Sequence, residues 1–304
     1  MSENLSKLFT TQFSTNIELK LQQMGSKLRG RIREGVHVGK QASPINQIGA
    51  IQMKAPAGRF APKNRTDADF TRRWVFPQDG EIDQLIDSFD ELRTIVDPKS
   101  MYVENASMAV GRGWDDAIIA AFFGTAQVGA DAGGLSNETF STTNFQIAST
   151  FGSSAASGLT VAKIIEAKRI FEHYHNDLEV ERPTMVIGSQ QHSDLLNQVQ
   201  VVSTEFREQP VFDRGMVKGF LGFDIVMSER LSTAANVRNI PVFVKSGMYL
   251  GMWQDMVNRV SIRNDLSSEP YDLYTKTSFG ASRLQPGKVI SILCSDTSAA
   301  DITP

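Results

Sequence analysis

Three places in this 304-residue chain hold residue types at spacings that could do chemistry. Gly111-Arg112-Gly113 reads as a turn that feeds an apolar segment of helical period, the opening of a phosphate cradle at a helix N-terminus. The last position of G-x-G-x-x-G is Asp116, with Asp115 beside it, so two carboxylates oppose a phosphate there. No G-x-x-x-x-G-K-[ST] occurs. The packing alternative makes apolar faces of Met108, Trp114, Ile118, Ile119, Phe122 and Phe123, with small residues that let another backbone approach. Gly188-Ser189 follows the strand-like PTMVIG and precedes a helical pattern, as a nucleophile would. The elbow G-x-S-x-G is absent, His192 is only three residues on, and Ser189 is better read as a helix N-cap. Of the four histidines, His37, His173, His175 and His192, the middle pair is two apart in a predicted helix and points to different sides. Cys294 in VISILCSD reads as a small core hydrophobe. The residues therefore offer no catalytic, metal or cofactor-binding set, and no cofactor is expected.

Composition is that of an ordinary globular chain. The chain is 41% hydrophobic and 21% charged, with a formal net charge of −3, so it can build a core and carries no global basic field for nucleic acid. One cysteine excludes an internal disulfide framework. The first residues, MSENLSKLFTTQFSTNIELK, lack a signal-peptide pattern, and no run approaches the roughly 18 apolar residues of a membrane span. A soluble intracellular product is the expectation.

The elements that would position such residues follow from periodicity. Phe13, Ile17, Leu21, Met24 and Leu28 recur at three and four, predicting a helical arm within residues 1–34. Residues 41–78 alternate apolar and polar around a Pro-, Gly- and Asn-rich middle, a hairpin with an irregular tip. With arms of about 14 residues it would reach roughly 46 Å, against a radius of gyration of roughly 19 Å for a compact chain of this length. Such a hairpin is marginal alone and needs another surface, and a neighbouring copy is the expected one. Residues 81–96 place Ile82, Leu85, Ile86, Phe89 and Leu92 on one helical face behind an Asp79 N-cap, and Pro98 stops the helix. Residues 124–158 read as loop or weak hairpin. Residues 159–246 are mixed α/β, with Thr160 capping a helix, a buried strand at 183–188, a helix from Ser189, and strands at GFDIVMSE and IPVFVK. Strands return at the end: DMVNRVSIRND, YDLYTKTSFGASRL and KVISILCSD.

Charge is blocked along the chain. Residues 20–73 hold twelve basic against three acidic side chains, +9, and residues 79–97 hold seven acids against one base, −6. Opposed blocks suit mutual recognition within a chain or between copies, although two solvated faces give the same pattern. Arg59, Lys63, Arg65, Arg72 and Arg73 on the hairpin are the expected donors, and Glu81, Asp83, Asp87, Asp90 and Glu91 the expected acceptors on an adjacent copy. Reversing Arg72 and Arg73 to Glu is expected to hinder assembly and leave the monomer folded.

In this order of parts the chain resembles the major capsid protein of tailed bacteriophages, with the Hong Kong ninety-seven-like fold. QFSTNIELKLQQMGSKLRGRI, DADFTRRWVFPQDGEIDQLID and VDPKSMYVENASMAVGRGWDDAIIAAFFGTA resemble the arm, the end of the extended loop and the spine-helix region. The resemblance implies an α+β major-capsid-type fold: an N-terminal arm at 1–40, an extended β-hairpin or E-loop at 41–78 lying across a neighbour, a P-domain with a long spine helix at 79–158 and 247–304, and an α/β A-domain at 159–246. It implies hexamers and pentamers of an icosahedral shell around double-stranded DNA, held without sequence-specific binding, in a virion assembled in the bacterial cytoplasm. Partners would be copies of itself, a portal and a decoration protein. Because about 40 residues precede the hairpin, a separate scaffolding protein is expected. The residues alone leave three other readings open: an encapsulin-like nanocompartment shell, an α/β enzyme with an unrecognised site in 159–246, and a basic nucleic-acid-binding arm at 20–73, whose binding would be steeply salt-dependent.

Overall fold

The computed structural model describes residues 22–39, 43–55, 58–59, 62, 65–86, 99–129, 134–198, 216–267 and 269–296. In chain order the elements are β1 (Arg33–Val36), β2 (Ser43–Ile48), β3 (Phe70–Val75), β4 (Gln78–Ile86), α1 (Lys99–Phe123), β5 (Ala126–Val128), β6 (Ser136–Glu138), α2 (Thr142–Phe145) and β7 (Gln146–Ile147). There follow α3 (Val161–His173), β8 (Thr184–Ile187), α4 (Ser189–Leu196), β9 (Gly219–Phe220), β10 (Phe223–Met227), β11 (Thr233–Ala234), β12 (Val237–Phe243), β13 (Met248–Ile262), β14 (Tyr271–Arg283) and β15 (Val289–Ser295). The architecture is α+β, with sheets ordered β1-β13-β14-β4, β2-β3-β5-β6, and β7-β15-β12-β8-β10-β9 with β11 beside β12. Among the described residues no helix is long and apolar enough to cross a membrane.

The chain divides into two compact units. The larger holds residues 27–78, 113–253 and 278–304. Its core lies where α3 and α4 pack on the seven-stranded sheet, around Ile164, Phe171, Met185, Leu195, Ile240, Val242 and Ile292. Every residue of β8 is buried, which is why TMVI reads as an unbroken apolar run rather than an alternation. The N-cap expected at Thr160 is present, its Oγ1 accepting from the Lys163 N–H at 3.4 Å. The cap of α4 is Gly188, not Ser189, and the Gln191 Oε1 accepts from the Gly188 N–H at 3.2 Å. The β9–β10 hairpin turns through Leu221 and Gly222, both at positive φ (50° and 90°), the handedness a two-residue hairpin requires. The terminal strand β15 is a full member of this sheet, antiparallel to β12 over seven residues and parallel to β7, so hydrogen bonds join both sides of the 246/247 boundary expected from sequence.

The smaller unit comprises residues 1–26, 79–112 and 254–277, and so takes in most of β4, the first part of α1, and the adjoining parts of β13 and β14. Two expectations change here. Residues 78–86 form a strand, not the start of a helix. Ile82, Leu85 and Ile86 satisfy a helical period, but the same residues also alternate. Gly80, Ile82, Gln84 and Ile86 are half-buried or buried, and Asp79, Glu81, Asp83 and Leu85 are exposed. A neighbouring strand, β14, decides between the two readings. The second change concerns Gly111-Arg112-Gly113, which is not a turn. α1 runs through it for 25 residues, about 37 Å at helical rise. Ala106, Val110, Trp114, Ile118 and Phe122, each four residues from the next, are buried along it. Residues 22–32 are not helical; the rest of the predicted arm stripe, Phe13, Ile17 and Leu21, lies outside the described residues.

Candidate functional site

The surface with the strongest claim to function is the hairpin β2–β3. Its ladder runs from Ser43 opposite Val75 to Ile48 opposite Phe70, and the Gly49 N–H donates to the Asp69 carbonyl at 2.7 Å. Six paired residues span about 20 Å, shorter than the predicted arm. The base is not isolated, because β3 also pairs with β5, which pairs with β6. The Trp74 indole N–H donates to the Gly129 carbonyl at 2.9 Å. Val75 is buried against Tyr249 and Leu284. Gly280 passes so near that a Cβ would stand 2.2 Å from the Phe76 carbonyl oxygen.

Arg73 points inward. It is 6% exposed, and its Nη2 lies 2.7 Å from Glu138 Oε2. Arg283, 1% exposed, donates to the carbonyls of Phe122 (2.7 Å), Gly124 (3.0 Å) and Glu138 (2.9 Å), and desolvation pulls its pKa below the usual guanidinium value. The far end of the hairpin is open. Ile48, Ile51, Met53 and Phe70 are 64–100% exposed. Arg59, Arg65 and Arg72 are exposed as well, Arg72 donating through Nε to Asn46 Oδ1 at 2.9 Å. Lys63 lies outside the described residues, as do Asp87, Asp90 and Glu91.

Of the expected acceptors, Glu81 and Asp83 are described, and both sit on the exposed face of β4. Glu81 accepts from the Tyr274 hydroxyl at 3.0 Å. Asp83 is held above the ordinary carboxylate range, first by its hydrogen bond with Asp272, then by burial and by the charge of Asp272. Arg263 serves Asp265 through two nitrogens (2.8 and 2.7 Å) and stands 3.7 Å from Asp272. That contact draws the Asp265 pKa down to about 2. Asp272 joins this acidic face although sequence reasoning did not single it out; its place becomes legible only once 78–86 is seen as a strand beside β14.

The chemical candidates resolve into packing. Asp115 is fully buried and accepts from the N–H groups of Lys27 (3.0 Å) and Leu28 (3.1 Å). Asp116 pairs with Arg230. The close backbone approach expected at the small residues occurs at Gly111, where a Cβ would lie 2.6 Å from the Ser26 nitrogen. His192 is buried and its Nε2 accepts from the Val217 N–H at 3.2 Å, while the Ser189 N–H donates to Glu229. His173 ends α3 and His175 lies beyond it at φ 57°, so the two do not share a helix. His37 bonds the Tyr249 hydroxyl at 2.9 Å and stacks on Trp253. Among the described residues no three His, Cys, Asp or Glu side chains gather as metal ligands. An open cleft of about 600 Å³ beside β9 and β10 is lined by Glu179, Arg182, Phe220, Leu221 and Asp224 among others, with no serine, threonine, cysteine or histidine.

With that geometry in place, comparison with known proteins is informative. A family model described as phage capsid protein matches residues 5–296. The capsid structure of the cyanophage P-SCSP1u is similar at a TM-score of 0.75 and 13% identity, covering 96% of this chain and 95% of that one. The capsid of Ralstonia phage GP4 is similar at 0.71 and 12% identity, over 98% and 97%. The cyanophage Pam1 capsid is similar at 0.71 and 12%, over 97% and 98%. Identities this low speak to the fold, and the likeness extends over whole chains. A search of curated proteins gives no match.

Proposed function

The chain belongs to the phage capsid protein family and is a structural protein of the phage head, and from there we propose that it self-assembles into hexamers and pentamers of an icosahedral shell enclosing double-stranded DNA. The family match across residues 5–296 carries this reading. The hairpin supports it: a base anchored on three sides by its own chain, and a far end whose apolar and basic side chains stand in solvent. Residues 41–78 act as the E-loop, 79–158 and 247–304 as the P-domain, 159–246 as the A-domain and 1–40 as the arm. Arg59, Lys63, Arg65 and Arg72 meet carboxylates of an adjacent copy, Glu81 and Asp83 among them. The protein does no catalysis. A separate scaffolding protein, a portal and a decoration protein complete the particle, which is built in the bacterial cytoplasm. A nanocompartment shell would share the fold and differ in cargo.

Electron microscopy of the purified full-length chain over a range of salt concentrations tests this. Closed polyhedral shells or ring-shaped capsomers are expected, and a small monodisperse oligomer at every salt concentration refutes self-assembly. Nuclease-protected DNA inside particles from infected cells separates a phage head from a protein-filled compartment. The charge test moves away from Arg73, whose reversal would set a second carboxylate against Glu138. Arg59→Glu with Arg65→Glu is expected to reduce particle yield about ten-fold by removing repeated intersubunit attractions, with circular dichroism unchanged.

A further inference from the structure

In the sheet β1-β13-β14-β4 the last pair of strands carries a contact that its charges oppose. Asp83 of β4 lies within hydrogen-bond reach of Asp272 of β14. Two carboxylates cannot bond each other, because both only accept. A carboxylic acid and a carboxylate can, through one proton. Without that proton, like charges on adjacent strands weaken their pairing.

The surroundings leave the contact unrelieved. The Asp272 side chain is 13% exposed, and its Oδ1 is enclosed with no hydrogen-bond donor among the described residues. An enclosed acceptor of this kind calls for a donor, and a protonated Asp83 is one. Arg263 stands 3.7 Å from Asp272 Oδ2, but Asp265 already holds it through Nε (2.8 Å) and Nη2 (2.7 Å). Glu81, on the same exposed face of β4, accepts from the Tyr274 hydroxyl of β14 at 3.0 Å and brings one more negative charge. The charged groups that bear on Asp83 are thus Asp272 and Glu81, which favour its protonation, and Arg263, which opposes it.

We propose that Asp83 and Asp272 form a proton-operated clasp between β4 and β14: one proton held between the two carboxyls fastens the strand, and its loss sets two like charges side by side and loosens it. Among the described residues β14 is the one strand partner of β4, so the clasp acts where this sheet is least supported. The direction follows from the carboxyl. The fold raises Asp83 above the ordinary 3.8, so the folded chain holds this proton more tightly than the unfolded one. The stabilisation is complete in acid and is lost as pH rises from 3.8 through the raised value. This is the reverse of the acid loosening shown by carboxylates that are paired with cations, and it needs no neighbouring copy.

Hydrogen exchange of the full-length chain, read by mass spectrometry from pH 4 to pH 8 and corrected for the intrinsic rate at each pH, tests the clasp. Peptides across residues 79–86 report on β4, and the fully buried strand β8 serves as the internal reference. In the wild type the protection of β4 relative to β8 is expected to fall about two- to five-fold as pH rises. Asp83→Asn, which keeps the shape and a donor but carries no charge, is expected to abolish the fall and to hold the acid level of protection at pH 8. Asp272→Asn is expected to do the same from the other side, and Glu81→Gln to keep the fall. Protection of β4 that does not change with pH in the wild type overturns the clasp. So does a change in Asp83→Asn by one factor at every pH, which a merely structural role would give. A fall that persists in both asparagine variants assigns the titration to another group and overturns it as well.

Discussion

Lys163 shows how much polar chemistry this chain commits to structure. It is fully buried on α3, and its ammonium donates to the carbonyls of Ser157 (2.8 Å), Gly158 (2.9 Å) and Leu293 (3.1 Å), tying a loop to β15. Burial lowers its pKa, and the nearby Asp194 carboxylate and Cys294 offset part of that. His192 is used in a comparable way, as a neutral acceptor. Burial holds its pKa below the ordinary histidine value, so the unfolded chain takes up the proton first. Stability attributable to this ring is therefore complete at neutral pH and declines as pH falls through about 6.5 toward the lower folded value. Melting temperatures from pH 8 to pH 5 are expected to fall for the wild type and to fall less for His192→Gln, which keeps an acceptor without a titrating ring. Parallel curves would show that His192 does not titrate across folding. Neither role is legible in sequence. Lys163 reads as a solvated charge on an amphipathic helix, and His192 beside Ser189 resembles catalytic chemistry until the Val217 N–H is seen to take its nitrogen.

At the scale of elements, α1 gives a paired prediction of opposite sign. Glycine inside a helix costs about 1 kcal/mol relative to alanine, so alanine ought to help at both Gly111 and Gly113. At Gly113 a Cβ meets nothing within 4 Å, and Gly113→Ala is expected to stabilise by about 0.5–1 kcal/mol. At Gly111 the added carbon would lie 2.6–2.8 Å from the backbone of Gly25 and Ser26, and Gly111→Ala is expected to destabilise by about 1–3 kcal/mol. Denaturant unfolding of the two variants checks the signs; stabilisation by both would mean the 25–26 backbone yields freely. The sequence showed the helical stripe of α1 and the alternation of the β2–β3 hairpin, because burial on one face leaves a period, and it showed β8, β12 and β15 as apolar runs, because burial on both faces leaves a run. It misled at β4. Ile82, Leu85 and Ile86 fit both periods, and the choice was made by β14, almost two hundred residues away. The hairpin was legible as a hairpin, but its anchorage was not: Arg73 looks like its exposed neighbour Arg72 until β5 and β6 bring Glu138 to it.

For the molecule as a whole, the order of parts identified the fold before any single residue did, since a shell protein is defined by a surface arrangement and no strict motif marks it. The place of β15 in the seven-stranded sheet was less legible, a long-range pairing with no local signature. That strand carries Cys294, the chain's one thiol, fully buried and with its pKa pushed up to about 12 by burial. A thiolate, the reactive form, is thus withheld twice, by exclusion from water and by its proton. In native buffer a maleimide-type reagent is expected to label the protein only as fast as β15 parts from its neighbours; labelling as quick as that of a free thiol would contradict the burial. Nature has thereby left this protein with a built-in stopwatch: one chemical clock hand per copy, stopped while the sheet is shut, which can time the opening of the same core in a lone chain and in a finished particle without a foreign probe.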